Sequence, residues 1–301
     1  MHAPVMVGEV LEQLQPSRGG LFVDGTVGLG GHARAILEAG ASRLIGIDRD
    51  RAALALASAA LAGFDDRVEL VHGDYRDLAQ VIAARGISSV DGLLVDLGVS
   101  SMQLDEEGRG FSFRRDEPLD MRMDRSSGVT AAEAIATADE RTLADVIYQF
   151  GEERYSRRIA RNIVAARATA PIETTAQLAE VVRRSVPRRG YERIDPATRT
   201  FQAIRIWVNR ELEGLDTFIE HGTGLLSPGG RMAVISFHSL EDRVVKHTFR
   251  GLQQRGTGLT VRTKRPIVAG DDEIERNPRA RSAKLRAIER QGDGAENEHE
   301  G

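Results

Sequence analysis

The chain has 301 residues, of which 41% are hydrophobic and 29% charged, with a net charge of −4. This composition suits a globular protein with a real core, built as one large or two modest domains. There is no cysteine, which excludes thiol nucleophiles, cysteine-ligated zinc and disulfide staples.

The opening residues show no basic region followed by an apolar one, and no run of about 18 apolar residues occurs. Neither a signal peptide nor a membrane span is expected, and the expected location is cytoplasmic. A short helix over 7–14 leads into an apolar strand, 21–24, that stops at Asp24. Four glycines, Gly25, Gly28, Gly30 and Gly31, follow within seven residues, and a helical pattern begins at Ala33. Glycine permits positive φ and lets a ligand approach the backbone. The free N–H groups of a helix start favour polar or anionic ligand groups. Strand 43–48, helix 51–62, strand 67–72, helix 77–84 and strand 90–96 continue the alternation. This rhythm predicts an α/β fold with a parallel sheet covered by helices.

From 105 to about 197 the strands stop. Segments 130–136, 142–150, 155–168 and 175–185 read as helices, with Thr174 and Thr175 as caps. This stretch is expected to be an inserted helical substrate-recognition domain, between core segments 1–104 and 198–290. The alternation resumes with helix 199–220, a turn at Ser227-Pro228-Gly229-Gly230 and strand 231–237. Ser239-Leu240-Glu241-Asp242 has the form of a capping box. Segments 259–263 and 284–289 could close the sheet. The Gly- and Glu-rich tail, 291–301, is expected to be disordered.

In open α/β sheets, ligands bind beyond the carboxyl ends of the strands. Those ends carry the Gly loop, Asp48, His72-Gly73-Asp74-Tyr75, Asp96-Leu97-Gly98-Val99-Ser100-Ser101 and Phe237-His238-Ser239. Asp48 has the spacing of a carboxylate that accepts ribose hydroxyls. Loop and acid together point to an adenosine-type cofactor, and Tyr75 either packs on its adenine or caps the core. The P-loop pattern is absent, which argues against a nucleotide triphosphatase. His238, Glu241 and Asp242 make a poor ligand set, so no metal is expected. Basic residues cluster in 154–167, 183–193 and 276–290, permitting a local polyanion site on an acidic protein. A nicotinamide oxidoreductase fits the Gly loop and Asp48 but leaves the motifs after the fourth and fifth strands unexplained.

Longer motifs go further. Asp24-Gly25-Thr26 with Gly28-x-Gly30-Gly31-His32, Asp48-Arg49-Asp50, Asp96-Leu97-Gly98-Val99-Ser100-Ser101, Arg109-Gly110-Phe111-Ser112-Phe113, Pro118-Leu119-Asp120-Met121-Arg122-Met123-Asp124, Tyr148-x-x-x-Gly151-Glu152-Glu153, the 197–209 segment, Ser236-Phe237-His238-Ser239-Leu240-Glu241-Asp242 and Asn277-Pro278-Arg279-Ala280-Arg281-Ser282 resemble the MraW family of ribosomal RNA small subunit methyltransferases. The resemblance runs from His2 to about Arg290. It implies a class I S-adenosylmethionine-dependent methyltransferase, a Rossmann-like sheet with an inserted α-helical domain. The implied reaction is N4-methylation of a cytidine in the decoding region of bacterial 16S rRNA, with the 30S small ribosomal subunit as partner. Implied contacts to S-adenosyl-L-methionine are Gly30, Gly31, His32, Asp48, Tyr75, Asp96 and Gln103. Met102 departs from the Pro common in relatives, and the amino-methyltransferase tetrad ending Pro-Pro-Tyr is missing after strand four.

For such a transfer Asp96, supported by Ser100 or by the 96–98 backbone, is the candidate acceptor for the N4 hydrogens, and His238 could contact the base or take the proton. Arg109, Phe111 and Phe113 interleave cation and aromatic as single-strand binders do. Arg199, Arg279, Arg281, Lys284 and Arg286 are candidate phosphate contacts. The alternative is a non-catalytic RNA-binding ribosome-assembly factor on the same fold. Oligomeric state, a homodimer included, is left open.

Overall fold

The computed structural model describes residues 4–98, 107–187 and 195–292. The chain forms two compact units, Met1–Gly98 with Leu212–Gly301, and Val99–Glu211.

The first unit holds one eight-stranded sheet. Its strands are β1 (Leu21–Asp24), β2 (Arg43–Asp48), β3 (Val68–His72), β4 (Val90–Asp96), β5 (Leu226–Ser236), β6 (Leu259–Val261), β7 (Ile267–Val268) and β8 (Lys284–Arg290). The order is β3-β2-β1-β4-β5-β8-β6, with β7 also paired to β8. β1 to β5 are parallel, while β8 runs antiparallel to β5 and β6. One sheet face packs on α4 (Leu78–Ala83), α10 (Leu215–Gly224) and α11 (Ser239–Gln254), around Leu78, Leu93, Phe218, Met232 and Phe249. The other packs on α1 (Val7–Leu14), α2 (Gly31–Glu38) and α3 (Arg51–Ala60), around Val10, Phe22, Ile36, Leu44 and Leu285. Burial on both faces explains why the central strands are apolar runs rather than alternating patterns. Phe22 on β1 lies opposite Gly92 on β4, and a Cβ at 92 would overlap its ring.

The sheet reverses direction at β1: successive strands lead to β2 and β3 on one side and to β4 and β5 on the other. The ligand crevice of such a sheet lies beyond the carboxyl ends of the two strands that flank the reversal. Asp24 and Asp96 end those strands.

The second unit contains α5 (Ala131–Thr137), α6 (Glu140–Gly151), α7 (Ser156–Thr169), α8 (Thr175–Ser185) and α9 (Ala197–Asn209). It takes in α9, which lies beyond residue 197. Its core includes Ile147, Ile159, Ile163, Leu178, Val182, Phe201 and Ile204. Thr130 and Thr174 cap α5 and α8 in capping boxes with Glu133 and Gln177. The 109–123 stretch is tied to α9 through Asn209, whose Nδ2 donates to the Met121 carbonyl at 2.7 Å and whose Oδ1 accepts from the Met123 N–H at 2.7 Å. Gly110 sits at φ +70°, and a Cβ there would overlap the Pro118 carbonyl. Gly110→Ala should therefore destabilise the folded chain by roughly 3 kcal/mol, from left-handed strain plus overpacking. Urea unfolding of wild type and variant measures this, and equal midpoints would show that the backbone absorbs the methyl freely.

Three expectations are corrected. The single helix over 199–220 is two, because Arg210 takes φ +52° and ends α9, and Gly214 at φ +70° precedes α10. β5 begins at Leu226, and the register shift from Val90↔Leu226 to Gly92↔Arg231 absorbs the Ser227–Gly230 turn as a bulge. The cap of α11 is His238 rather than Ser239. β7 and a short helix, α12 (Asp271–Arg276), had no periodicity long enough to announce them.

Candidate active site

The loop after β1 is organised by three aspartates, each ending a strand. Asp48 accepts from the Gly28 N–H through Oδ2 and from the Asp50 N–H through Oδ1, both at 2.8 Å. Gly28 and Gly30 sit at φ +51° and +84°, which the loop needs to turn from β1 into α2. Asp24 accepts from the Thr26 N–H at 3.1 Å, and Thr26 Oγ1 accepts from the Asp96 N–H at 2.7 Å. Thr26 thus couples the loop to the tip of β4. Pro4 packs over Gly31, where any Cβ would come within 2.9 Å of its ring.

His32, 6% exposed, opens α2 beneath this loop. Its Nε2 lies 3.7 Å from Asp96 Oδ2, an electrostatic contact too long for a hydrogen bond. Burial alone would lower the His32 pKa, but Asp96 and then Asp24 hold it above the ordinary imidazole value. Burial pushes Asp24 up to about 7, opposed by His32 and the Thr26 N–H and reinforced by Asp96 and Asp48. Burial also raises Asp48, offset in part by the Asp50 and Gly28 N–H groups.

Tyr75 is 8% exposed and meets Phe218 edge-on at 4.7 Å, so its ring is part of the core. Burial pushes its hydroxyl up to about 12. Arg49 and Arg76 both pair with Asp74, at 2.6 and 2.7 Å, and brace that turn.

His238 is held by its own helix. Its Nδ1 accepts from the Glu241 N–H at 3.4 Å, and its Nε2 lies 3.1 Å from Glu241 Oε1. Glu241, 1% exposed, accepts in turn from the Phe237 N–H at 2.8 Å. Both imidazole nitrogens thus face Glu241. Asp242 does not serve as the cap: it pairs with Arg286 at 2.6 Å and with Lys284 at 3.8 Å.

The structure thus gathers Gly30, Gly31, His32, Asp48, Tyr75, Asp96 and His238 at the carboxyl ends of one sheet. Ser100 and Gln103 lie outside the described residues. The expected arginine–aromatic platform is not presented at the surface. Arg109 is 5% exposed and donates to the Arg122 and Met123 carbonyls, and Phe111 is 9% exposed in the second unit's core. Phe113 packs edge-on against Phe201 at 4.7 Å. Arg286 is likewise buried on Asp242 and cannot reach a phosphate. Arg199 is exposed, with Glu153 at 3.7 Å. Arg281 is exposed and Arg279 half-buried. The residues the motif reading left without a role are Asp24 and Thr26. Their signal was that β1, like β2 and β4, ends in an aspartate.

Four buried polar atoms on three side chains near this loop have no hydrogen-bond partner among the described residues: Asp24 Oδ2, Asp96 Oδ1 and both nitrogens of His32. Buried polar atoms normally have partners, and these lie at the carboxyl ends of the strands, where ligands of such sheets bind. Three carboxylates around one loop suit a cationic ligand with ribose hydroxyls. A five-stranded parallel run closed by one antiparallel strand, with such a loop at the reversal, defines a class I methyltransferase fold.

The model of the MraW methylase family matches residues 1–291, and the chain belongs to that family. It is 53% identical to ribosomal RNA small subunit methyltransferase H of Syntrophotalea carbinolica over 96% of this chain and 98% of that one. The same-named protein of Sorangium cellulosum is 53% identical over 98% and 92%, and that of Deinococcus radiodurans 54% over 96% and 89%. An rRNA methylase structure from Streptococcus thermophilus overlays with a TM-score of 0.41 at 13% identity, covering 95% of this chain and 92% of that one. The chain is a methyltransferase, and its methyl donor is S-adenosylmethionine. Among the described residues no helix is long and apolar enough to cross a membrane.

Each Asp48 oxygen keeps a lone pair beyond the one spent on a backbone N–H, enough to accept ribose hydroxyls. Asp48→Ala should weaken cofactor binding about 10- to 100-fold, the scale of a charged hydrogen bond lost together with loop support. Titration calorimetry with S-adenosylmethionine measures this. Unchanged affinity would remove Asp48 from the cofactor site.

Proposed function

We propose that the chain methylates the exocyclic N4 of a cytidine in the decoding region of bacterial 16S rRNA, acting on the 30S small subunit in the cytoplasm. The observation that carries the chemistry is the unpartnered Asp96 Oδ1 at the tip of β4, next to the loop that suits the cofactor. The ribosomal substrate rests on the family and on the names of relatives more than half identical to this chain.

When bound, S-adenosylmethionine supplies a methyl group already activated on cationic sulfur. The protein has to place N4 in line with that methyl, since orientation is worth several powers of ten in rate. N4 is a weak nucleophile because its lone pair is delocalised into the ring. Asp96 Oδ1 accepts an N4 hydrogen and stabilises the positive charge that grows on nitrogen as it is attacked. Thr26 fixes the Asp96 backbone, and His32 faces the second carboxylate oxygen from below. Gly30, Gly31, His32, Asp48 and Tyr75 form the cofactor's surroundings. His238, oriented by Glu241, supports the rim at the end of β5. A cytosine in folded RNA must first leave its stack, and the exposed Arg154, Arg157, Arg158 and Arg161 of the second unit offer cations to the surrounding backbone.

The test uses labelled S-adenosylmethionine with naked 16S rRNA, 30S subunits and an unrelated RNA, followed by nucleoside mass spectrometry. A single N4-methylcytidine on one substrate form is expected. Label in another nucleoside or in protein, or no label despite cofactor binding, overturns the reading.

A further inference from the structure

Residues 243–270 carry five Arg, two Lys and one His and no acid, in a chain with 45 acids. The first half of this run is α11. Its apolar positions Val245, Phe249 and Leu252 face the sheet. Arg243, Lys246, His247 and Arg250 fall at spacings of three and four, so they share the opposite face. Arg243, His247 and Arg250 are exposed and Lys246 is half-buried. The stripe extends about 10 Å, seven residues at the helical rise. Lys264 and Arg265 are exposed on the turn between β6 and β7 at the same edge of the sheet.

Ordinary solvated helix faces mix both signs and neutralise their cations in local pairs. This one does not. Four acids on α11 and on the elements packed against it are already committed. Glu241 is buried under His238, and Asp242 holds Arg286 and Lys284. Glu220 on α10 pairs with Arg255 at 2.6 Å, and Glu289 on β8 pairs with Arg231 and Arg262 at 3.0 and 3.4 Å. Lys246, Arg250, Lys264 and Arg265 have no acidic partner among the described residues. The stripe is also rigidly mounted, because the His238–Glu241 box fixes the start of α11 and the Arg286–Asp242 pair fastens its first turn to β8. α11 starts at the carboxyl end of β5, beside β4 and Asp96, so Arg243 is near the rim of the crevice and the stripe leads away from it.

We propose that the outer face of α11, continued by the β6–β7 turn, is a phosphate-binding track that holds the RNA strand flanking the target nucleotide. The partner is a polyanion with regularly repeated charge, which the spacing of the cations along the helix complements. This inference rests on the RNA reading and adds to it a surface that carries no chemistry.

The test compares wild type with the triple variant Lys246→Gln, Arg250→Gln, Arg265→Gln, none of which touches the cofactor loop. The readouts are binding to a 16S decoding-region RNA as a function of salt, and methylation kinetics. Losing three phosphate contacts should flatten the plot of log affinity against log salt by about 2, at roughly 0.7 per contact on single strands. KM for RNA should rise about tenfold, with kcat at saturating RNA and the affinity for S-adenosylmethionine unchanged. Lys246→Arg, which keeps the charge, should leave the salt slope and KM unchanged. If wild type methylates RNA and the triple variant has the same salt slope and KM, the track is wrong and the RNA reading stands. If wild type binds RNA through these residues but methylates another substrate, the RNA reading falls, and the track, which needs a target nucleotide, falls with it. Loss of binding to phosphatidylglycerol vesicles with RNA binding intact would assign the stripe to a membrane surface and overturn the proposal.

Discussion

Asp96→Asn should lower kcat for methyl transfer by about 10²- to 10³-fold, the usual cost of removing one preorganised electrostatic contact from a transition state. The substitution keeps the size of the side chain. It also leaves the backbone contact intact, since Thr26 Oγ1 accepts from the residue 96 N–H and not from the side chain. What disappears is the negative charge proposed to oppose the developing cation on N4, together with the strongest raising influence on His32, 3.7 Å away. A residue acting only on the cofactor would raise its dissociation constant and leave kcat at saturation intact. A residue acting on N4 would do the reverse. Measuring both constants for the variant therefore separates the two roles. A full-sized kcat with weakened cofactor binding would confine Asp96 to the cofactor.

Asp24→Asn should remove a large pH dependence of stability in the cofactor-free protein. The Asp24 carboxyl titrates at about 7 in the fold, against 3.8 as its ordinary value. Between those two pH values the folded state holds a proton that the unfolded chain has released, so stability falls as pH rises through the window and levels off above 7. The difference corresponds to about 4 kcal/mol, or a melting shift of roughly 5–10 °C in a chain of this size. Asn cannot ionise, and its amide oxygen can still accept from the Thr26 N–H. The variant should match wild type near pH 4 and exceed its stability near pH 8. His32 and Asp48, both raised, slope the same way. Asp74 and Asp120, both held low by arginines after burial is overcome, slope the opposite way. The wild type minus variant difference cancels Asp74 and Asp120 and reports Asp24 together with its coupling to His32 and Asp48. Equal pH profiles would mean that Asp24 is ionised in the fold throughout. A cationic cofactor favours ionised Asp24, so the same variant should also bind S-adenosylmethionine more weakly.

Much of this molecule was determined by local sequence. β1, β2 and β4 were legible to the residue because apolar runs ending in Asp24, Asp48 and Asp96 have no competing period. The Gly loop announced its own turn, since Gly28 and Gly30 adopt a backbone few other residues tolerate. Thr174 was a readable cap because capping is satisfied within four residues. A parallel sheet with polar groups at the carboxyl ends of its strands followed from alternation, whereas the strand order and the reversal at β1 came from the structure. The tertiary structure decided what each polar side chain is for. Arg109, Phe111 and Arg286 look the same in sequence as RNA contacts, yet they face the Arg122 and Met123 carbonyls, the second unit's core and Asp242. The stripe on α11 was equally hidden, because its cations are distinguished from ordinary ones only by acids that distant residues have already claimed. Asp24 gave no sign of its raised pKa, which exists only because strands and a loop far apart in sequence seal it from water. Backbone conformation is set by neighbours along the chain, whereas the charge and availability of a side chain are set by neighbours in space.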